Sequence, residues 1–348
     1  MMDNIRKLES WDTQLYADCV EFVPFEPYLS IAICGTYQLC ESEAARVGRL
    51  SLHSVDPENI DLTPIQLVDT PGILDVKWCR QKSYNQISLA VANSIGQIVL
   101  YSFDSDISIK QQHVQNIGDG GTGRLALSCD WYEGYKIAVS DSKGEVSCLN
   151  VSVEGSEPIS NWKAHDYEAW VASFDRHSDQ LIYSGGDDSC FRLWDLRDTT
   201  SPVLANKKAH QMGVTSIETS PVDSNILATG SYDERLLLWD KRHMKNWMSE
   251  TNLGGGVWKL KWEPGSARHL LAATMHNGFH LIDCCRPSLE RDANPLSFDP
   301  KIVASYREHS SLAYGCDWAR LLSPSTGRRT IASCSFYDHS LHVWSWLP

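Results

Sequence analysis

Histidine, serine or threonine, and aspartate recur together in this chain, a combination able to activate a hydroxyl for acyl transfer. His165 is followed by Ser184 and Asp188, His210 by Thr229 and Asp233, and His309 by Ser333 and Asp338. In each set the aspartate lies six residues before a tryptophan: Trp194, Trp239 and Trp344. An active site is needed once, whereas this constellation occurs three times. The repetition predicts a structural role, in which the carboxylate orients the imidazole and the hydroxyl links it to the indole N–H. A buried member left unpaired would cost about 1–3 kcal/mol, so such sets are kept whole or not at all.

Residues that depart from the repetition are the better candidates for chemistry. Asp187 is a turn-tip residue beside Asp188, and its counterparts are Tyr232 and Tyr337. It is either a ligand contact or a solvated turn carboxylate. His276 occupies the place of the turn aspartate in a weaker copy of the pattern. It cannot act as that carboxylate, and is either an active-site group or a surface or capping histidine. Glu168, Trp170, Trp258 and Tyr314 fall at matching positions of their units, near a run of three glycines at 254–256. The glycines permit close approach of a ligand to the backbone. The aromatics either pack within the fold or form a cage, which would favour a quaternary ammonium by cation–π attraction.

The elements that must position these residues are short strands. The segments SGGDDSCFRLWD (184–195), TGSYDERLLLWD (229–240) and SCSFYDHSLHVW (333–344) are the strong copies of one unit. Weaker copies lie at 73–102, 126–151 and 257–283, and a first unit begins near residue 17 with an insertion near 39–47. Alternating apolar runs separated by Gly, Asn, Asp and Ser read as antiparallel strands. The pattern resembles the WD repeat, in which each unit is a four-stranded blade of about 40–45 residues. It predicts an all-β chain: a seven-bladed WD-repeat β-propeller occupying 1–348 as a single domain. The last unit ends at its third strand, so residues near 8–14 are expected to supply the fourth and close the ring. Aligning the units on their first strands places Tyr16, Gly72, Leu125, Glu168, Gly213, Gly256 and Leu312 at one rim position. Two residues further come Asp18, Leu74, Leu127, Trp170, Thr215, Trp258 and Tyr314.

Composition narrows the partners. The 348 residues carry a formal charge of −13, which repels phosphate backbones and argues against nucleic acid. Such a surface suits a cationic ligand or a basic patch on a partner. The charged N-terminus lacks an apolar leader and no long apolar run follows, so neither secretion nor a membrane span is expected. Eleven cysteines without paired spacing predict free thiols and a cytoplasmic location. There is no GxSxG elbow and no P-loop, and GDGGTG at 118–123 lacks the strand–helix context of a phosphate loop. His339 and His342, three apart on a strand, point to opposite faces, so no metal is expected. A closed ring needs no partner to fold, which makes a monomer the default.

Longer strings carry a closer likeness. They include WKAHDYEAWVASF (162–174), YSGGDDS (183–189), ATGSYDERLLLWDKRHMK (228–245), GGVWKLKWEP (255–264), MHNGF (275–279) and YGCDW (314–318). Together with AICGTYQL (32–39) they resemble the diphthine methylesterase family, WD-repeat proteins of diphthamide biosynthesis. The resemblance implies a carboxylic ester hydrolase without a cofactor. Its substrate would be methylated diphthine on the modified histidine of translation elongation factor 2, and its products diphthine and methanol. On that reading His276 is the general base, with Glu168 and Asp187 as alternative bases or partners of the cation. Trp170, Trp258, Tyr314 and Tyr232 would bind the trimethylammonium group. Amides at Gly255 and Gly256 would serve the oxyanion, and Ser142 or Thr274 would open a covalent route. The rival readings are a non-catalytic WD-repeat scaffold, or a ubiquitin-ligase substrate adaptor acting through WDLR (194–197) and WDKR (239–242).

Overall fold

Each repeat opens on a strand almost wholly withdrawn from water, as in Ala17–Phe22, Val214–Thr219 and Ala126–Tyr132. Its last strand alternates between exposed and half-buried residues, as in Asp61–Pro71 and Ser108–Asn116. A sheet patterned this way runs radially, with its first strand at an axis and its last at the rim. The computed structural model describes residues 4–41, 45–55, 61–81, 86–118, 123–152, 154–284, 299–322 and 327–348. These form seven antiparallel sheets and, among the described residues, no helix. First strands of neighbouring sheets pack side by side, closing a seven-bladed β-propeller.

The ring is closed by the N-terminus, as expected, with the strand lying slightly earlier than 8–14. Ile5–Asp12 pairs with Ser340–Trp346, Ile5 opposite Trp346 and Asp12 opposite Ser340. The insertion in the first blade adds a small strand, Gln38–Cys40, against the start of Ala45–Ser54. Of the stretches expected to be irregular near 118–123 and 286–300, residues 119–122 and 286–298 lie outside the described residues.

Adjacent blades are tied by acidic side chains that accept amide hydrogens across the gap. Glu21 accepts from Trp78 N at 3.1 Å, Asp75 from Cys129 N at 3.1 Å, Asp130 from Phe174 N at 3.0 Å and Asp317 from Phe22 N at 2.8 Å. Indoles add a second tie, with Trp131 donating to Lys77 O and Trp318 to Lys261 O, both at 3.0 Å. Buried carboxylates thereby satisfy strand edges that a flat sheet would leave open.

Two of the three repeated sets close as expected. His165 meets Asp188 at 2.9 Å and Ser184 at 2.8 Å, and Trp194 donates to Ser184 at 2.9 Å. His210 joins Asp233, Thr229 and Trp239 likewise. The seventh blade differs. His309 meets Ser333 at 2.8 Å, but its other nitrogen faces Ser340 at 2.7 Å in place of Asp338. The hairpin there is one residue longer: Ser333 pairs with His342, nine residues on, whereas Ser184 pairs with Arg192 and Thr229 with Leu237, eight residues on. With one more residue in the turn, the Ser340 hydroxyl takes the place of the carboxylate beside the imidazole. Asp338 instead caps Ser310 N at 2.8 Å.

Candidate active site

At one end of the central channel the first strands frame a cavity open to solvent. Asp18, Leu74, Leu127, Trp170, Thr215 and Trp258 line it, one from each of six blades. These are the residues that repeat alignment placed together. Tyr314, the seventh, stacks on Trp258 with ring centroids 4.7 Å apart and planes 23° from parallel.

The aromatics form a continuous arc. Trp170 meets Trp258 edge-on at 5.7 Å and Tyr232 at 6.0 Å, and Tyr232 lies 5.9 Å from Trp258. Beyond Tyr314 the arc continues through Phe336, at 4.8 Å, to Tyr16, at 4.9 Å. Burial pushes the Tyr232 hydroxyl up, with Asp187, Asp18 and Glu168 adding to the rise. Burial does the same at Tyr314, helped by Asp18. Both phenols stay neutral in working conditions and present uncharged rings.

The carboxylates differ in how they are held. Asp187 is exposed at the tip of the fourth blade, and its Oδ1 accepts the Trp170 indole hydrogen at 3.0 Å. Gly213 makes room for it, since a Cβ there would lie 2.7 Å from that oxygen. Glu168 is half-buried at the rim, and its carboxylate makes no hydrogen bond among the described residues, while its carbonyl accepts Asp187 N at 2.9 Å. Asp18 is only 5% exposed and lies within the cavity wall. Its carboxylate also has no hydrogen-bond partner among the described residues. Burial pushes that carboxyl well above the usual aspartate range, Lys259 pulls it partly back, and Asp75 adds to the rise.

Below Asp18 the channel is filled by paired charges. Asp75 contacts Lys259 at 3.0 Å and Lys77 at 3.4 Å. Glu21 contacts Lys77 at 2.9 Å and also Lys261. Burial opposes ionisation of Glu21, but Lys261 and Lys77 outweigh it and hold the carboxyl well below its usual value. Charges so paired are retained in a low-dielectric interior. Asp18 stands out as the buried carboxylate above this layer without such a partner.

His276 lies on the exposed turn of the sixth blade, with no hydrogen bond among the described residues. It does not line the cavity. The set of which it would be part is apolar: Leu253, Ala272 and Ile282 pack together in the core there. Asn277 holds the turn by donating to Leu253 O at 2.6 Å. Gly254 N is taken by Asn252 Oδ1, whereas the amides of Gly255 and Gly256 have no partner among the described residues. The two alternative nucleophiles are committed to turns. Thr274 Oγ1 is fully buried and donates to Gly278 O at 2.7 Å, and Ser142 Oγ accepts Leu125 N at 3.0 Å.

Residues 156–195 and 202–240 match the WD domain, G-beta repeat family. The similarity extends much further in three curated relatives. The diphthine methyltransferase of Mus musculus is 38% identical over 91% of this chain and 70% of its own. The diphthine methyltransferase homolog of Dictyostelium discoideum is 33% identical over 94% and 96%. That of Schizosaccharomyces pombe is 30% identical over 90% of each. The chain belongs to the diphthine methyltransferase family. A chain of the solved structure titled "Crystal Structure of Mitotic Checkpoint Complex" superposes with a TM-score of 0.72 at 16% identity, covering 99% of this chain and 96% of that one. That likeness shows the fold alone. Similarity along nearly the whole chain to enzymes named for diphthine disfavours the scaffold reading.

Within this family member, the expected substrate-binding residues Trp170, Tyr232, Trp258 and Tyr314 are brought into one cluster, with Gly256 against Tyr232. Glu168 and Asp187 stand at its edge. Phe336, Tyr16 and the isolation of Asp18 were not singled out from the sequence. Rim alignment contained Tyr16 and Asp18, but only the closed ring shows what surrounds them.

Proposed function

We propose that this chain hydrolyses the methyl ester of methylated diphthine, carried on the modified histidine of elongation factor 2, giving diphthine and methanol. The observation that carries the reading is the aromatic arc Trp170–Tyr232–Trp258–Tyr314 at the channel mouth of a diphthine-family protein. A trimethylammonium group would be held there on aromatic faces. A loop projecting from a large protein substrate would enter the open end, and the reaction proceeds in the cytoplasm on a monomeric ring.

Water attacks the ester carbonyl, the tetrahedral oxyanion collapses, and methoxide leaves with a proton as methanol. The family name describes methyl transfer; here the acyl group passes to water and the methyl leaves with its oxygen. Free amides at Gly255 and Gly256 are the oxyanion donors in this reading. Glu168, whose carboxylate is uncommitted, is the first choice of general base at the rim. Asp187 orients Trp170, and His276 is an acid–base alternative from the neighbouring turn. No cofactor or metal takes part in the proposed route.

The test is turnover by variants at each position. Glu168→Gln is expected to lower kcat by about 100-fold or more with the fold intact. Unchanged kcat/KM in Glu168→Gln, Asp187→Ala and His276→Gln alike would overturn this assignment of roles.

A further inference from the structure

The aromatic arc accounts for the shape of the site but leaves one buried carboxylate unused. Asp18 lies in the cavity wall, nine-tenths withdrawn from water, with no hydrogen-bond or ion-pair partner among the described residues. Its neighbours come from several blades. Lys259 and Asp75 act on it electrostatically, as do Tyr232 and Tyr314 of the arc, Cys19 of its own strand and Cys334 of the seventh blade. Lys259 is engaged with Asp75 at 3.0 Å, so it does not neutralise Asp18 by contact. A carboxylate so isolated is costly unless something brings a positive charge to it.

We infer that Asp18 is the counter-charge of a quaternary ammonium group seated against Trp170, Trp258 and Tyr314, and so a specificity-determining residue of the site. The inference rests on the proposed function only for which molecule carries that cation. A quaternary ammonium has no N–H to donate, so it is recognised by aromatic faces and an unscreened negative charge. Trp170 and Trp258 line the same cavity as Asp18, which supplies both parts. Without ligand, burial raises the carboxyl well above the usual aspartate range, against the partial pull of Lys259. Arrival of the cation favours the ionised form, so binding releases a proton and strengthens as pH rises.

The probe is tetramethylammonium, followed calorimetrically or by tryptophan fluorescence. The wild-type chain is expected to bind it, with affinity rising with pH until Asp18 is ionised without ligand. Asp18→Asn resembles the neutral acid in shape, so it should fold normally. It is expected to bind about tenfold or more weakly, with a flat pH profile. Choline should outcompete its neutral isostere 3,3-dimethylbutanol in wild type but not in the variant. Trp258→Ala should lose both ligands, and Asp18→Glu should recover part of the cation preference. On the ester substrate the loss should appear in KM, with kcat within about threefold. Equal tetramethylammonium binding by wild type and Asp18→Asn would overturn the inference, as would a fall in kcat at unchanged KM. The two readings fail separately: Asp18-dependent cation binding without methanol release overturns the hydrolase alone, and methanol release with KM unchanged by Asp18→Asn overturns the inference alone.

Discussion

Trp170 donates its indole hydrogen to Asp187 at 3.0 Å, so a carboxylate at the tip of one turn sets the angle of a ring in the cavity wall. Trp170 in turn meets both Tyr232 and Trp258, which makes Asp187 a positioning residue for the whole arc.

Asp187→Ala should therefore raise KM by about fivefold, the worth of one hydrogen bond, and leave kcat nearly unchanged. Asp187→Asn keeps an acceptor oxygen and should behave almost as wild type. Steady-state methanol release would show this. A collapse of kcat in both variants would make Asp187 catalytic instead.

The repeated His–Ser/Thr–Asp–Trp sets should affect stability and spare chemistry. Asp188→Ala is expected to cost about 1–3 kcal/mol in denaturant unfolding, because it strands a buried imidazole. Asp338→Ala should cost less, since His309 bonds to Ser340, and Ser340→Ala should cost more than Asp338→Ala. The reverse order in the seventh blade would contradict the structure.

How much of this was legible depends on distance along the chain. The sets in the fourth and fifth blades were readable because hairpin spacing fixes their members. Asp338 misled because a turn one residue longer, with the extra residue between Ser333 and Asp338, leaves the Asp-to-Trp interval intact while changing which side chain faces His309. The cavity-lining residues could be placed by aligning first strands, since ring symmetry turns equal positions into neighbours. Charge pairing was not legible. Lys259 and Asp75 are 184 residues apart and meet only across the closed ring, and the isolation of Asp18 follows from that pairing. His276 drew attention as a break in pattern, but the rest of its set, Leu253, Ala272 and Ile282, is apolar and needs no polar partner.

Stability should fall on acidification for a stated reason. His53 is fully buried between Leu62 O at 2.7 Å and Ser51 Oγ at 2.9 Å, and burial lowers its pKa to about 4. Its unfolded value is about 6.5. The unfolded chain then binds the proton first, so stability is full above about pH 6.5 and is lost as pH falls towards 4. The loss from this group is at most about 3 kcal/mol. Urea titrations of wild type and His53→Gln between those pH values should show a shallower slope in the variant. Identical slopes would exclude His53 as a contributor.

Removing residues 1–12 should open the ring. Ile5–Asp12 supplies the outer strand of the seventh blade, and without it the edge of Ser340–Trp346 is bare. The truncated chain is expected to melt at lower temperature and to self-associate. An unchanged melting curve would show that closure does not depend on this strand.

The central claim is most directly tested with purified protein and elongation factor 2 carrying methylated diphthine. The modified loop peptide would be followed by intact mass while methanol is assayed. The account predicts loss of the ester methyl over many turnovers, with the trimethylammonium group retained and methanol appearing in equal amount. Tight binding of the factor with no change in mass would contradict it and leave the channel mouth a docking surface.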